Sequence, residues 1–135
     1  MYGGYDGGLG NGGRHDLYDL EGALGPKVID FATHYVRSLL AWDILVFFER
    51  NPEAVLDVAG LAERLGRKSE DVAPEVEALC QARILTCAGG LVRYRPTDEL
   101  GEGVSAFVEA CQDRNRRLAL IALVLQRISR SQPTG

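Results

Sequence analysis

Apolar residues recur at helical spacing in two stretches that precede Pro52. The first stretch follows Pro26, a residue type favoured in the first turn of a helix. Residues three and four apart share one face of a helix, so the spacing predicts a helix over 27–37. The second stretch, over 39–48, ends at a stop signal formed by Asn51 and Pro52. The pattern fits either two helices or one bent helix. The apolar positions are Val28, Phe31, Ala32, Tyr35, Leu39, Trp42, Ile44, Leu45, Phe47 and Phe48.

Two more helices are predicted on either side of a short turn. Asp57 is a residue type that caps helix N-termini, and Gly66 is typical of a helix end. Between them, the apolar face is formed by Val58, Leu61, Ala62 and Leu65. Ser69 is the expected N-cap of the next helix, over 70–83, whose apolar face is formed by Val72, Val76, Leu79 and Cys80.

The apolar period changes after residue 83. Two short runs, 84–88 and 91–95, flank the pair Gly89 and Gly90. A two-residue glycine turn between such runs is a strong signal for a β-hairpin. Pro96 ends the second run, and Thr97 begins the last helix.

The last helix is predicted to reach about residue 130 as one continuous element. Its seam repeats every three and four residues, and the pattern is interrupted once, by Arg114. Residues 118–125 are apolar on all sides, which is typical of a helix that is buried all round. The seam therefore predicts a homodimer whose interface is formed by Val104, Phe107, Cys111, Leu118, Ile121, Leu125 and Ile128.

Residues 1–25 differ in composition from the rest of the chain. They hold nine of the sixteen glycines, and such a segment buries too little surface to offset its chain entropy. We therefore expect a disordered tail over 1–25, a core with its preceding helix over 26–99, and a C-terminal dimerisation helix over 100–130.

The net charge is −4 over 135 residues. This argues against a nucleic-acid-binding surface that covers the whole molecule, although a local basic stripe stays compatible with it. No apolar leader segment is seen near the start, and the longest apolar run is too short to span a membrane. These features favour a cytoplasmic protein without a membrane partner.

The three cysteines are Cys80, Cys87 and Cys111. Their number is odd and no pair has the CxxC spacing, so we expect reduced, buried thiols and neither a disulfide framework nor a zinc site. An oxidant- or metal-sensing role for Cys80 and Cys87 is the less favoured alternative. No cofactor is expected.

Four segments together carry a resemblance to a known family. They are "ILVFF" at 44–48, "VAGLAERLG" at 58–66, the segment 69–85 that ends in "EALCQARIL", and the hairpin "GGLVRY" at 89–94. In this order they resemble the winged helix-turn-helix transcription regulators of the MarR/ArsR kind. The predicted fold class is mainly α with a small β-hairpin: a winged helix-turn-helix domain with flanking N- and C-terminal dimerisation helices.

The resemblance implies a homodimer that binds double-stranded DNA. Helix 70–83 would be the recognition helix in the major groove, and the hairpin would be the wing. The residues expected to contact DNA are Arg67, Lys68 and Ser69 in the turn, and Arg93 and Arg95 on the hairpin. The recognition helix departs from the usual pattern, because its groove-facing positions include Glu70, Asp71 and Glu77. Acidic residues in a first turn also favour the helix macrodipole, so a structural role for Glu70 and Asp71 stays open, and Glu75 and Glu77 are then solvated side chains.

Two other function classes compete with that of a DNA-binding regulator. The acidic helix and the negative net charge fit a winged-helix protein-interaction module that does not bind DNA. An enzyme is disfavoured, because the two histidines, His15 and His34, accompany no known catalytic motif. An effector crevice lined by Trp42, Phe48 and Phe107 is implied by the resemblance, but aromatic residues at helical spacing more often form a core.

Overall fold

The computed structural model describes Gly22 and residues 24–131, with side chains described up to residue 127. Residues 26–131 form six helices and three short strands. In chain order these are α1 (Pro26–Tyr35), α2 (Leu39–Arg50), β1 (Val55–Leu56), α3 (Val58–Leu65), α4 (Ser69–Gln81), β2 (Leu85–Ala88), β3 (Leu91–Tyr94), α5 (Asp98–Gln112) and α6 (Arg114–Ser131). The described chain is mainly helical with a small antiparallel sheet, which confirms this part of the predicted fold class.

The predicted tail over 1–25 lies largely outside the described residues. Leu24 is described, and its side chain is 3% exposed within the hydrophobic core. The packed part of the chain therefore begins before residue 26.

Side-chain caps separate the first helices. The Ser38 hydroxyl accepts a hydrogen bond from the Ala41 amide at 3.0 Å, which starts α2 as a helix distinct from α1. The Asp57 carboxylate accepts from the Gly60 amide at 2.7 Å, and Gly66 ends α3 at φ 70°. Two separate helices are thus observed where the sequence left the choice open, and the predicted cap of α3 is confirmed.

The start of α4 differs from the prediction. Ser69 is already helical, and Lys68 occupies the N-cap position without a side-chain cap. The helix ends through backbone bonds from the Arg83 amide to the Cys80 carbonyl and from the Ile84 amide to the Leu79 carbonyl. Because Arg83 has a φ of 68°, the chain reverses into β2 directly after α4.

The predicted hairpin is confirmed, and the structure adds a third strand. Gly89 and Gly90 both have positive φ, at 62° and 79°, as a tight two-residue turn between antiparallel strands requires. Strand β1 pairs with β3, so the strand order is β1-β3-β2. The sequence does not reveal β1, because two residues are too few to show the alternation of apolar and polar positions that marks a strand.

The prediction of one continuous C-terminal helix is wrong. Asp113 has extended backbone, at φ −90° and ψ 127°, between α5 and α6. Its carboxylate accepts a hydrogen bond from the Arg116 amide at 2.9 Å and caps α6. As a result, α6 folds back and packs against α1 and α5.

This break corrects the prediction for three of the seven interface residues. Val104, Phe107 and Cys111 lie in the protomer's own core, where α5 packs against α1 and α2. They are therefore not available to a second copy in this conformation. The heptad spacing arises because the same residues face neighbouring helices of their own chain.

The rest of the seam lies on α6, which is covered on one side. Its buried face consists of Ala119, Leu120 and Val124. Leu118 and Leu125 are 54% and 47% exposed, and Ile121 is half-buried. The side chain of Ile128 lies outside the described residues. The protomer thus covers part of the helix that was expected to be buried on all sides.

The aromatic residues of the predicted effector crevice belong to the hydrophobic core. Trp42 packs edge-on against Phe107 with ring centres 5.1 Å apart, and Phe48 is fully buried. This confirms the interpretation of these residues as core and leaves the crevice without its expected lining.

Candidate nucleic-acid interface

The two arginines of the hairpin point away from the core. Along β3, Val92 is buried and Tyr94 is half-buried, whereas Leu91 and Arg93 are exposed, as is Arg95 directly after the strand. Strand side chains alternate between faces, so these exposed residues share the outer side of the hairpin. The geometry agrees with the predicted orientation of Arg93 and Arg95.

Neighbouring strands extend this surface. Arg93 is paired with Thr86 on β2 and with Val55 on β1. Directly paired residues in an antiparallel sheet share a face. The outer sheet face, as we call it, is formed by Val55, Thr86, Ala88, Leu91, Arg93 and Arg95, and all six are exposed.

The outer sheet face carries positive charge without a carboxylate among its six residues. Within residues 24–127, no carboxylate lies within ion-pairing distance of Arg93 or Arg95. Both guanidinium groups can therefore turn towards an anionic partner without first breaking an ion pair.

In the turn between α3 and α4, one of the two cations that the sequence predicts for DNA contact is already ion-paired. Arg67, Lys68 and Ser69 are all exposed. However, Arg67 Nη2 lies 3.3 Å from Asp43 Oδ2 on α2. Partial burial raises the pKa of Asp43, and Arg67 offsets part of that rise. Lys68 is thus the more available cation of this turn.

The exposed side of α4 is acidic. Glu70, Asp71 and Glu77 are exposed, and α4 contains no lysine or arginine. Glu75 departs from the expected solvated position, because it is largely buried and its Oε1 lies 3.2 Å from Arg37 Nε. A phosphate-lined groove would repel the three exposed carboxylates.

The prediction of three reduced thiols is wrong. Cys80 in the last turn of α4 and Cys87 on β2 form a disulfide with Cα atoms 6.2 Å apart. The tight reversal at Arg83 brings together two residues separated by seven positions, which an odd cysteine count did not reveal. Cys111 is free and buried, and burial raises the pKa of its thiol to about 11.

A second surface feature, which the sequence did not predict, is an acidic groove between α2, α5 and the end of β3. It has a volume of about 750 Å³. At its base, the Glu49 carboxylate accepts hydrogen bonds from Tyr94 Oη and Ser105 Oγ, both at 2.9 Å. Burial and the neighbouring Glu49 raise the pKa of Tyr94. The remaining acidic side chains of the lining are Asp98, Glu102 and Glu109, so the groove does not suit an anion.

Few groups elsewhere suggest catalysis or metal binding. His34 is exposed, and its Nδ1 lies 2.8 Å from the Asp30 carbonyl oxygen, while His15 lies outside the described residues. The part of the chain that the structure describes contains no group of three metal-binding side chains. None of its helices combines the length and apolar character needed to cross a bilayer.

Comparisons with known proteins identify no relative. No protein-family model, no curated protein and no solved structure matches the chain.

Proposed function

We propose that this protein is a winged-helix DNA-binding regulator that holds duplex DNA mainly through its hairpin. The succession α3, short turn, α4, β2 and β3 is the order of elements in winged helix-turn-helix domains. In this arrangement, α4 is the recognition helix and the β2–β3 hairpin is the wing.

The observation that carries the proposal is the pair Arg93 and Arg95. Both are exposed on one side of the hairpin, and neither forms an ion pair within residues 24–127. Arginine binds phosphate through a planar fork of donors, and such contacts supply most of the salt-dependent affinity for DNA. Lys68 adds a further exposed cation in the turn before α4.

The acidic face of α4 limits what kind of binding is expected. Phosphate contacts position a protein on DNA, whereas base contacts give sequence specificity. Glu70, Asp71 and Glu77 oppose deep insertion of α4 into the major groove. We therefore expect affinity that depends strongly on salt and only weakly on sequence.

The test compares two double variants of the full chain in binding to a fluorescent random-sequence duplex at several salt concentrations. The variant R93A/R95A is expected to weaken binding. Each lost phosphate contact lowers the slope of log affinity against log salt by about 0.9, so the slope should fall by up to about 2.

The matched control is R114A/R117A, which removes the same charge from exposed positions. Arg114 and Arg117 follow α5 in the chain. This helix begins just after the hairpin, and its 15 residues make it roughly 22 Å long. The slope of the control variant should stay close to that of the unmodified chain. Equal slopes for R93A/R95A and the unmodified chain, or no salt-dependent binding at all, would contradict the proposal.

A second candidate function is a protein-interaction module, which the acidic face of α4 favours. Four carboxylates and no cation occupy this helix, and three of the four are exposed. Such a face suits a basic protein surface. If the unmodified chain does not bind duplex DNA but binds a lysine-rich peptide, and E70Q/E77Q weakens the peptide binding, this candidate replaces the first.

A further inference from the structure

The disulfide joins α4 to the hairpin at a place where other contacts also hold the two elements together. The packing between α4 and the sheet is formed by Val72, Val76, Leu79, Ile84, Leu85 and Val92, all of which are buried. The end of α4 is also closed by the backbone bonds from Arg83 and Ile84. Apolar packing and backbone hydrogen bonds thus hold α4 near the sheet in addition to the two sulfur atoms.

The bond lies at the surface, within reach of a reactant. Cys87 is an exposed residue, and Cys80 is half-buried. Strand β2 is an edge strand, since it pairs only with β3 in the described sheet. A thiol can therefore approach Cys87 from solvent without opening the core.

The geometry also permits the bond to form again after reduction. The two Cα atoms lie 6.2 Å apart, within the range that a disulfide spans without backbone movement. Cys111, the remaining cysteine, is buried in the core, and its thiol has a raised pKa. Cys111 therefore supplies little thiolate that could form a disulfide with Cys80 or Cys87 instead.

We propose that the Cys80–Cys87 bond is a reversible redox site, opened by dithiols and closed again by disulfides, that controls how firmly the hairpin is held to α4. In the first step, a thiolate of the dithiol attacks Cys87 Sγ. The bond to Cys80 Sγ breaks, and Cys80 leaves as a thiolate that takes a proton from water. The second thiol of the reagent then attacks the mixed disulfide and releases Cys87. Two electrons pass to the protein, and the dithiol leaves as a cyclic disulfide.

Opening the bond changes one connection in particular. In the oxidised protein, β2 is held on one side by its pairing with β3 and on the other by the covalent link to α4. In the reduced protein, β2 keeps only its pairing with β3 and its contacts with the core. Opening and closing this bond involves no contact with DNA, so the redox site does not depend on the proposed function.

The first experiment counts thiols in the native full chain. Protein treated with dithiothreitol, or with oxidised dithiothreitol, is quenched in acid, alkylated in denaturant and weighed by mass spectrometry. We expect one alkyl group on the oxidised protein, at Cys111, and three on the reduced protein. A bond that opens only in denaturant, or that does not form again in the oxidant, would overturn the proposal.

The second experiment measures amide hydrogen exchange in the two redox states. Exchange in the hairpin, residues 85–94, should be several-fold faster in the reduced protein, while α5 should be unchanged. The variant C80S/C87S should match the reduced protein under both conditions. Identical exchange of the hairpin in the oxidised and reduced unmodified chain would overturn the proposal, whether or not this variant folds.

A third measurement compares how accessible the two sulfur atoms are to a reagent, because accessibility helps to decide which sulfur of the disulfide is attacked. C80S leaves Cys87 as a free thiol and C87S leaves Cys80, so each can be titrated with an aromatic disulfide that releases a coloured thiolate. Cys87 should react faster because its position is the more exposed of the two. A faster reaction at Cys80 would overturn the assignment of Cys87 as the attacked sulfur.

Discussion

At the scale of single residues, one glycine sets how closely two helices approach. A Cβ atom built on Gly103 of α5 would lie 2.7 Å from Cδ1 of Phe31 on α1. Phe31 is itself held between Tyr35 and Phe107, at ring-centre distances of 5.1 and 5.8 Å. The ring therefore has little room to move away from an added methyl group.

We expect Gly103→Ala to destabilise the protein. Overpacking costs about 1 to 3 kcal/mol, and the better helix propensity of alanine returns about 1 kcal/mol. The free energy of unfolding in urea should thus fall by up to about 2 kcal/mol. Gly101→Ala is the control on the same helix, because its Cβ would lie at the ordinary distance of 3.4 Å from Pro96. A loss of stability in Gly101→Ala as large as in Gly103→Ala would contradict this explanation.

Some single residues fix the local structure strongly enough that the sequence reveals it. Asp57 and Gly66 were predicted correctly because a cap and a left-handed helix end are decided within a few residues. The break at Asp113 carried a similar signal, since Asp113 caps α6. The heptad spacing on both sides of it concealed this signal, because a period does not show whether the helix that carries it is continuous.

At the scale of elements, α6 is held to the end of α1 by a charged side chain. Arg127 Nη1 donates hydrogen bonds to the carbonyl oxygens of Ala32 at 3.1 Å and Val36 at 3.2 Å. Carbonyls at a helix C-terminus carry partial negative charge and favour a cation there. This contact joins residues more than 90 positions apart in the chain, so no local pattern predicts it.

Arg127→Ala should loosen α6. Losing hydrogen bonds from a charged donor costs about 1 to 3 kcal/mol, so we expect a lower free energy of unfolding and faster amide exchange in α6. Arg117→Ala removes an exposed arginine of the same helix and should change stability by less than about 0.5 kcal/mol. Equal losses in the two variants would show that the carbonyl contacts contribute nothing specific.

At the scale of the whole molecule, the protomer leaves apolar surface on α6. Leu118 and Leu125 are exposed, and Ile121 lies between them at helical spacing. The homodimer stays a prediction, and within residues 24–127 the predicted interface residues that the protomer does not bury lie on this outer stripe of α6. Val104, Phe107 and Cys111 are already used inside the protomer.

We expect the unmodified chain to be a dimer by light scattering and L118E/L125E to be a monomer that keeps its helical circular dichroism. Burying two charged side chains against a copy of themselves is strongly unfavourable. The control L39E/L91E places the same charges on two other exposed leucines and should leave the dimer intact. A monomeric unmodified chain would refute the prediction. Dissociation by both variants would show that α6 is not the interface.

The sequence by itself determined the elements whose formation is local. The helical structure before Pro52, helices α3 and α4, the cap at Asp57, the stop at Gly66 and the glycine turn of the hairpin all follow from residues a few positions apart. The division of the first helical region into α1 and α2 does not follow from the sequence. Such features depend on backbone preferences and short-range hydrogen bonds, which a sequence displays directly.

Only the tertiary structure decided which surfaces remain free. It placed three of the seven predicted interface residues inside the protomer and Glu75 against Arg37. It also joined Cys80 to Cys87, and left Arg93 and Arg95 without ion pairs within residues 24–127. The physical reason is that apolar periodicity records that a face is covered, while the identity of the covering surface depends on how distant segments pack together.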